Sequence, residues 1–445
     1  MLHTMTMRGV GPSALMQLAL APRLNLITGD NGLGKSFLLD AAWWGLTRTW
    51  AGEEIRPPRP APLRTVERAG TAGTSVGGPP AAPEMDFELD TAARARDTDR
   101  CRYDRASQQW KCKPGRGPHP GLVLYARVDG GFCVWDPARN HAPDLAGGSS
   151  DARLSAAFVF DAHDIWHGLK VGDEVHCKRL LVDWVEWQST RDPAFEELVA
   201  VLRQLSPDPT TPLRPGEPTR VSLRDVRDMP TLAMPYGDVP ILHASAAMRR
   251  VTALAYLLVW SLREHRKAQE FLGNQPVGQI VFLVDELESH LHPRWQRTIL
   301  PALLDVTERL SSKAGVQIVA TTHSPFVPLS VETRVDEAHD ALWDLDLVGN
   351  AVTLTRRPWE RRGDAAGWVT SEVFDLESTR STEGEALLGA LDALYLRAQG
   401  EALAPAEIDA MDARLRAVLP ELDPVFARWM AFKERLRTGG AGATP

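Results

Sequence analysis

No stretch of this 445-residue chain approaches the roughly 20 consecutive apolar residues needed to cross a bilayer as a helix, which excludes a helical membrane span and leaves no membrane partner. The N-terminus offers only short apolar stretches, broken by Arg8, Pro12 and Pro22, and this argues against a secretory signal. Cysteine is scarce. Cys101, Cys112, Cys133 and Cys177 carry no C-x-x-C spacing, so they are expected as reduced thiols in a cytoplasmic protein. A net charge of −8 gives no overall attraction to nucleic acid, so any DNA contact requires a local basic patch. The middle of the chain lacks a long heptad repeat, which excludes an extended coiled coil. What remains is a chain with 44% hydrophobic content, enough to bury two sizeable cores.

Residues 29 to 36, Gly29-Asp30-Asn31-Gly32-Leu33-Gly34-Lys35-Ser36, spell a complete G-x-x-x-x-G-K-S behind the apolar run Leu24 to Thr28. Glycines at 29, 32 and 34 let the backbone curl with its N–H groups inward, toward the phosphates of a nucleotide. Lys35 supplies a point charge to the β- and γ-phosphates, Ser36 a hydroxyl ligand for Mg²⁺, and Phe37-Leu38-Leu39 opens a helix whose positive end faces the anion.

A phosphate loop alone leaves the reaction open, and the second half of the site lies about 250 residues downstream. Gln279 to Val284 is a continuous apolar run ending in Asp285-Glu286, as expected of a parallel strand buried on both faces with acids at its carboxyl end. Asp285 is placed to hold the Mg²⁺ shell and Glu286 to polarise an attacking water. A second run, Val316 to Ala320, leads through Thr321-Thr322 to His323-Ser324-Pro325, which puts His323 at the same sheet edge, toward the γ-phosphate or the water.

In this order, G-D-N-G-L-G-K-S, then F-L-V-D-E-L-E-S-H-L-H-P at 282 to 293, then A-T-T-H-S-P at 320 to 325, the chain resembles the ABC-type ATPase heads of the RecF, SMC and OLD group. Met5 to Arg8 and Leu15 to Leu20 read as the antiparallel strand pair that precedes the phosphate loop in such heads. The matching motifs cover 1 to 52 and about 240 to 330. The resemblance implies an α/β P-loop NTPase fold with an ABC-ATPase-like sheet and an antiparallel N-terminal subsheet. ATP and Mg²⁺ follow as cofactors, with a homodimer that buries each ATP between the phosphate loop of one subunit and a signature segment of the other.

The candidate signature segment is His243-Ala244-Ser245-Ala246-Ala247-Met248-Arg249-Arg250, with Ser245 as helix N-cap and γ-phosphate donor in trans and Arg249 or Arg250 as a supplementary cation. It departs from the family's L-S-G-G-Q, because Ala246 and Ala247 replace two glycines and Met248 a polar residue. The alternative is that Ser245 only caps a helix carrying Val251, Leu254, Leu258 and Leu262 on one face. Glu288, Ser289, His290 and His292 occupy the family's dimer-facing D-loop rather than a zinc site, which would need a further ligand. No plain Q-loop is visible. Phe160 to Asp164 is one candidate, and Gln188 is expected on a helix.

The rest of the chain divides by composition. The ATPase core is expected over 1–52 and 220–335, a loop plus β-rich insertion over 53–150, a helical lobe over 151–219, and a C-terminal hairpin and helices over 336–445. Residues 53 to 84 are rich in Pro, Gly, Ala and Arg and read as a loop. Leu122 to Val128 and Phe132 to Trp135 form a hairpin through Asp129-Gly130-Gly131. Between 94 and 116 lie eight Lys or Arg (Arg94, Arg96, Arg100, Arg102, Arg105, Lys111, Lys113, Arg116) against three Asp. They read first as a solvated charged edge and second as a DNA contact. A closing hairpin is expected through Gly349-Asn350, then helices from about 381 to 436. The 122 residues after His323 leave neither room nor acidic motifs for the Toprim nuclease domain of OLD relatives, so any cutting activity belongs to another polypeptide.

The expected protein is thus a cytoplasmic, nucleotide-gated dimeric ATPase acting on an effector in trans, such as a nuclease encoded nearby, in DNA repair or defence against phage. Two alternatives stay open. One is the ATPase subunit of a transporter, and the other is a P-loop kinase or nucleotide-gated interaction module.

Overall fold

Two sheets of different construction grip one helix. The computed structural model describes residues 1–57, 82–91, 95–113, 117–140, 157–171, 174–310 and 314–437, so most of the loop expected over 53–84 lies outside the described residues. The smaller sheet is antiparallel and is built from β1 (Leu2–Arg8), β2 (Leu15–Ala19), β4 (Glu84–Leu89), β5 (Asp97–Asp104) and β6 (Gln109–Lys111) in the order β2-β1-β4-β5-β6. The larger contains β3 (Leu24–Gly29), β7 (Leu122–Ala126), β8 (Phe132–Trp135), β9 (Phe158–Phe160), β14 (Gln279–Val284), β15 (Gly315–Thr321), β16 (Asp340–Val348) and β17 (Ala351–Arg357). Its order is β17-β16-β3-β15-β14-β7-β8-β9. The run from β16 to β7 is wholly parallel, and antiparallel strands close both ends. Two separate ribbons pair β10 (Leu169–Val171) with β11 (Glu174–Cys177) and β12 (Thr231–Met234) with β13 (Gly237–Pro240).

The helix Lys35–Thr47 lies between the sheets and is apolar on nearly every side because both flanks are covered. Its Leu38, Leu39, Ala42, Trp43 and Leu46 share one core with Met5, Met7 and Phe87 of the small sheet and Val123, Leu283 and Val319 of the large one. Burial contributes about 1.5–3 kcal/mol for each large side chain in this layer. Gly45 is required where the helix meets β4, since a Cβ there would strike the Phe87 ring. Trp44 stacks on Trp50 at 4.9 Å and meets Trp110 of β6 at 5.6 Å. One buried polar side chain stitches the sheets together: Gln317 accepts from Leu2 N at 2.8 Å and donates to the carbonyls of Leu2 and Ala21 at 2.9 and 2.8 Å.

The first 368 residues form one unit, and residues from 369 form another. In the second, helices Thr382–Arg397, Pro405–Val418 and Pro424–Arg437 enclose a separate core of Leu387, Leu391, Leu394, Met411, Leu415, Trp429 and Phe432. The spacing of 387, 391 and 394 puts those leucines on one helical face.

Four expectations are corrected here. The β7–β8 hairpin exists, with Tyr125 opposite Cys133, but β7 is no insertion strand: it pairs parallel to β14, Val284 beside Ala126. Its unbroken apolar run L-V-L-Y-A suits a strand buried on both faces. The hairpin through Gly349-Asn350 also exists, but β16 pairs parallel to β3, so it belongs to the central sheet rather than to a C-terminal region. The lobe over 151–219 includes β9, β10 and β11 before its helices Leu180–Thr190 and Pro193–Gln204. Finally, Cys101 and Cys112 are joined in a disulfide, contrary to the expectation of reduced thiols. The β5–β6 register, Arg102 opposite Lys111, brings them directly across from one another. Cys133 and Cys177 are free and buried.

Several basic residues of 96–113 are matched by acids, most of them on β4 outside that window. Arg100 and Arg102 reach Glu84 at 3.0 and 3.3 Å, Arg100 also reaches Asp86 at 2.7 Å, Arg96 approaches Glu88, and Lys111 pairs with Asp104. Arg94 and Arg116 lie outside the described residues. No described helix is long and apolar enough to cross a membrane.

Candidate nucleotide site

The carboxyl ends of β3, β15, β14 and β7 lie side by side, with Ile27 opposite Thr321 and Ala320 opposite Val284, so the loops that follow them open at one sheet edge. Ligands of parallel α/β sheets collect at such edges. The loop after β3 is the phosphate-loop sequence. Gly29, Gly32 and Gly34 have φ of 131°, 82° and 105°, in the left-handed region that β-carbons disfavour, and a Cβ on Gly29 would meet the carbonyl of Leu345. Asp30, Asn31 and Gly32 are exposed, Leu33 is buried, and Ser36 and Phe37 are half-buried in the first helical turn. Gly34 stands at the N-cap with no side-chain acceptor, which leaves the helix's first N–H groups for an external anion.

Lys35 folds back on this loop: its Nζ donates to the carbonyls of Gly29 at 2.7 Å and Asp30 at 3.0 Å. Burial pushes its pKa below the ordinary lysine value, and the charges of Glu286, Glu288, Asp285 and Asp30 oppose that shift. A single ammonium among several carboxylates and a glycine loop fits a polyanion carried in with a divalent cation.

Asp285 is 1% exposed at the end of β14. Its Oδ1 accepts from Thr321 Oγ1 at 2.7 Å, and Thr321 Oγ1 in turn accepts from the amide of Glu286 at 2.8 Å. Glu286 has φ 44°, a costly conformation for a residue with a β-carbon, and strain of this sort concentrates at functional sites. His323 follows β15, with Nδ1 3.9 Å from Glu286 Oε1 and 3.4 Å from Glu288 Oε1. Next to Asp285, Asp40 of the phosphate-loop helix accepts from Tyr125 OH at 3.0 Å, and burial raises both pKa values.

Ser245 is exposed at the N-cap of the helix Ala246–Phe271 and accepts from Met248 N at 3.3 Å, as expected of a cap. Arg250 does not face outward as a cation for a second subunit. Its guanidinium is turned inward to the carbonyls of Val128, Asp285 and Glu286 at 3.0, 3.2 and 3.2 Å. Arg249 remains exposed. Glu288 is buried against His323 rather than presented on a surface loop, His290 is exposed with φ 63°, and His292 caps the turn Pro293–Gln296.

The segment 160–164 contains no glutamine, and Gln188 lies on a helix as expected. Asp161 and Asp164 close a capping box on a short helix, and Gln188 donates to Gly216 O from its own helix. The loop next to Asp285 is Arg127-Val128-Asp129 after β7, tied in by the Asp285 N to Ala126 O bond. It contains no glutamine. A cavity of about 370 Å³ lies between this loop, Trp166, Leu254 and His290.

Sequence and structure comparisons add three kinds of likeness. A family model described as "AAA domain, putative AbiEii toxin, Type IV TA system" matches residues 199–330, the stretch holding Ser245, Asp285, Glu286 and His323. The chain is 28% identical over 137 residues to the retron Vc95 probable ATPase of Vibrio cholerae, which is 31% of this chain and 25% of that protein. It is 29% identical over 99 residues to the retron Ec83 probable ATPase of Escherichia coli, 22% of this chain and 15% of that one. The Septu protein PtuA of Bacillus mycoides shares 29% over 99 residues, 22% of this chain and 13% of that protein. The aligned segments thus span a quarter or less of these relatives. Among solved structures, the Thermotoga maritima SMC head domain aligns over 80% of this chain and 99% of its own, at 14% identity and a TM-score of 0.38. An SMC head bound to the C-terminal winged-helix domain of ScpA gives 0.42 at 13% identity, with 80% and 98% covered.

Proposed function

We propose that the chain is an ATP-hydrolysing head of the RecF, SMC and OLD kind that closes as a dimer on Mg-ATP and controls an effector in trans. The observation that carries the reading is the convergence of Lys35, Asp285, Glu286 and His323 at adjacent parallel strand ends, around a glycine loop with its amides at a helix N-terminus. Ser36 and Asp285 offer oxygen ligands alone, which suits a hard divalent ion such as Mg²⁺. When bound, that ion neutralises phosphate charge. The residues of the chain do the rest: the loop amides and Lys35 hold the β- and γ-phosphates, and Glu286, more open than Glu288, accepts the proton of the attacking water. His323 stands within reach of the same water or phosphate. Ser245, exposed on its own helix N-terminus, is free to serve a facing subunit.

The retron ATPase relatives and the toxin-type family description support a role beside a separately encoded effector, with DNA repair or defence against phage as the setting. The test is Mg²⁺-dependent phosphate release from γ-labelled ATP by the purified chain. Label found on an acceptor would make it a kinase, and bound but unhydrolysed ATP would make it a nucleotide-gated interaction module.

A further inference from the structure

Two carboxylates approach His323, and they differ in kind. The Glu286 side chain is 26% exposed, whereas that of Glu288 is 3% exposed. The turn after β14 explains the difference. Glu286 takes its left-handed φ, Leu287 N bonds to Thr321 O at 3.2 Å, and Leu291 N bonds back to Glu288 O at 2.8 Å, which drives Glu288 into the protein. A carboxylate there loses its hydration and persists only against strong donors. Its Oε1 accepts from the backbone amide of His323 at 2.6 Å and lies 3.4 Å from Nδ1 of the same residue, while Oε2 has no hydrogen-bond partner among the described residues.

The neighbouring positions of that loop are held from other directions: Ser324 N donates to Thr322 Oγ1 at 3.0 Å, and Ser324 Oγ to Gln296 Oε1 at 2.7 Å. The His323 ring is 44% exposed and would sample several rotamers if its backbone and Nδ1 edge were free.

We propose that Glu288 is a positioning residue for His323, clamping its amide and its Nδ1 edge so that Nε2 is the ring nitrogen offered to the nucleotide. The inference rests on the ATPase reading. Glu288 is too enclosed to touch substrate and acts through His323, as carboxylates behind functional histidines do.

The test is a double-mutant cycle in the full chain. Glu288→Ala should lower kcat roughly 10- to 100-fold, the range for such supporting groups, with KM for ATP within about twofold of wild type. Glu288→Gln, whose side-chain carbonyl still accepts the His323 amide, should recover most of the loss. In a His323→Ala background, Glu288→Ala should have no further effect. Additive losses, or a kcat loss matched by lost ATP binding, would overturn the proposal. Glu288→Met fills similar volume if the alanine variant fails to fold. A second arm reads ¹⁵N-histidine signals, where His323 resonances should broaden or shift in Glu288→Ala or Glu288→Met and stay close to wild type in Glu288→Gln. His323 signals unchanged in every variant would refute the clamp. Absence of ATP hydrolysis by the wild type would instead sink the ATPase reading and leave this second arm to decide.

Discussion

Thr321 donates its hydroxyl proton to Asp285 Oδ1 at 2.7 Å while accepting the amide of Glu286 at 2.8 Å, so one buried side chain on β15 fixes both acids at the end of β14. Thr321→Val keeps the shape and removes both bonds. It should cost about 1–3 kcal/mol, because it leaves a buried carboxylate oxygen without its donor. Urea denaturation of the nucleotide-free protein checks this, and an unchanged midpoint would contradict it.

Lys35→Ala removes the charge that now rests on Gly29 and Asp30 carbonyls and that a polyphosphate would claim. Charge-assisted contacts are worth about 1.5–3 kcal/mol, so ATP affinity should fall at least about tenfold to 100-fold. Calorimetry on the folded variant measures it, and an unaltered dissociation constant would refute the phosphate-loop assignment.

Glu286→Gln should bind ATP as wild type does and turn it over about 100- to 10,000-fold more slowly, since the amide fills the space without accepting a proton. Should this variant hydrolyse normally while Asp285→Asn is dead, the base is another residue, with His323 the next to test.

The same Glu286→Gln variant should accumulate as a dimer with Mg-ATP in sedimentation velocity runs, and Ser245→Arg should break that dimer. The motive is the exposed Ser245 cap, whose side chain accepts from Met248 N in its own helix turn. A monomer at saturating ATP, or a dimer blind to Ser245, removes the trans-site mechanism and leaves the rest of the site standing.

Asp183 provides a pH test away from the nucleotide. Burial raises its pKa above the ordinary carboxylate value, although Tyr256 OH donates to it at 2.6 Å. A carboxyl raised on folding stabilises the fold fully below its unfolded value near 3.8 and loses that contribution as pH climbs through the raised value. The stability of wild type relative to Asp183→Asn should therefore increase as pH falls from 7 toward 4. A difference that is flat or runs the other way would contradict the shift.

The features visible in sequence were those encoded locally. A strand, a glycine loop and a helix adjoin at residues 24 to 47, and the acids and histidine end apolar runs whose parallel pairing brings them together. What stayed hidden depends on pairing between distant segments. The hairpin partners of β7 and β16 are legible from sequence, but their places beside β14 and β3 cannot be read from a run of apolar residues. The basic stretch shows only three Asp within itself, because most of the acids that pair with it, Glu84, Asp86 and Glu88, lie on β4. The Cys101–Cys112 pair needed the β5–β6 register. Thr321 and Glu288 sit inside legible motifs, but only the tertiary contacts reveal what they hold.

The position of β16 sets when the site can exist. Thr28 Oγ1 donates to the carbonyl of Trp343 at 3.0 Å, and β16 lines the whole of β3, so the strand that begins the phosphate loop has a neighbour made some 315 residues later. During synthesis the glycine loop emerges first and waits, with β3 open on both edges, until β15 and β16 leave the ribosome. At about 5–20 residues per second, that interval lasts on the order of 15 to 60 seconds. A nascent chain stalled just before residue 340 would thus carry the phosphate-loop, Asp285 and His323 motifs yet leave one edge of the apolar β3 unpaired beside them.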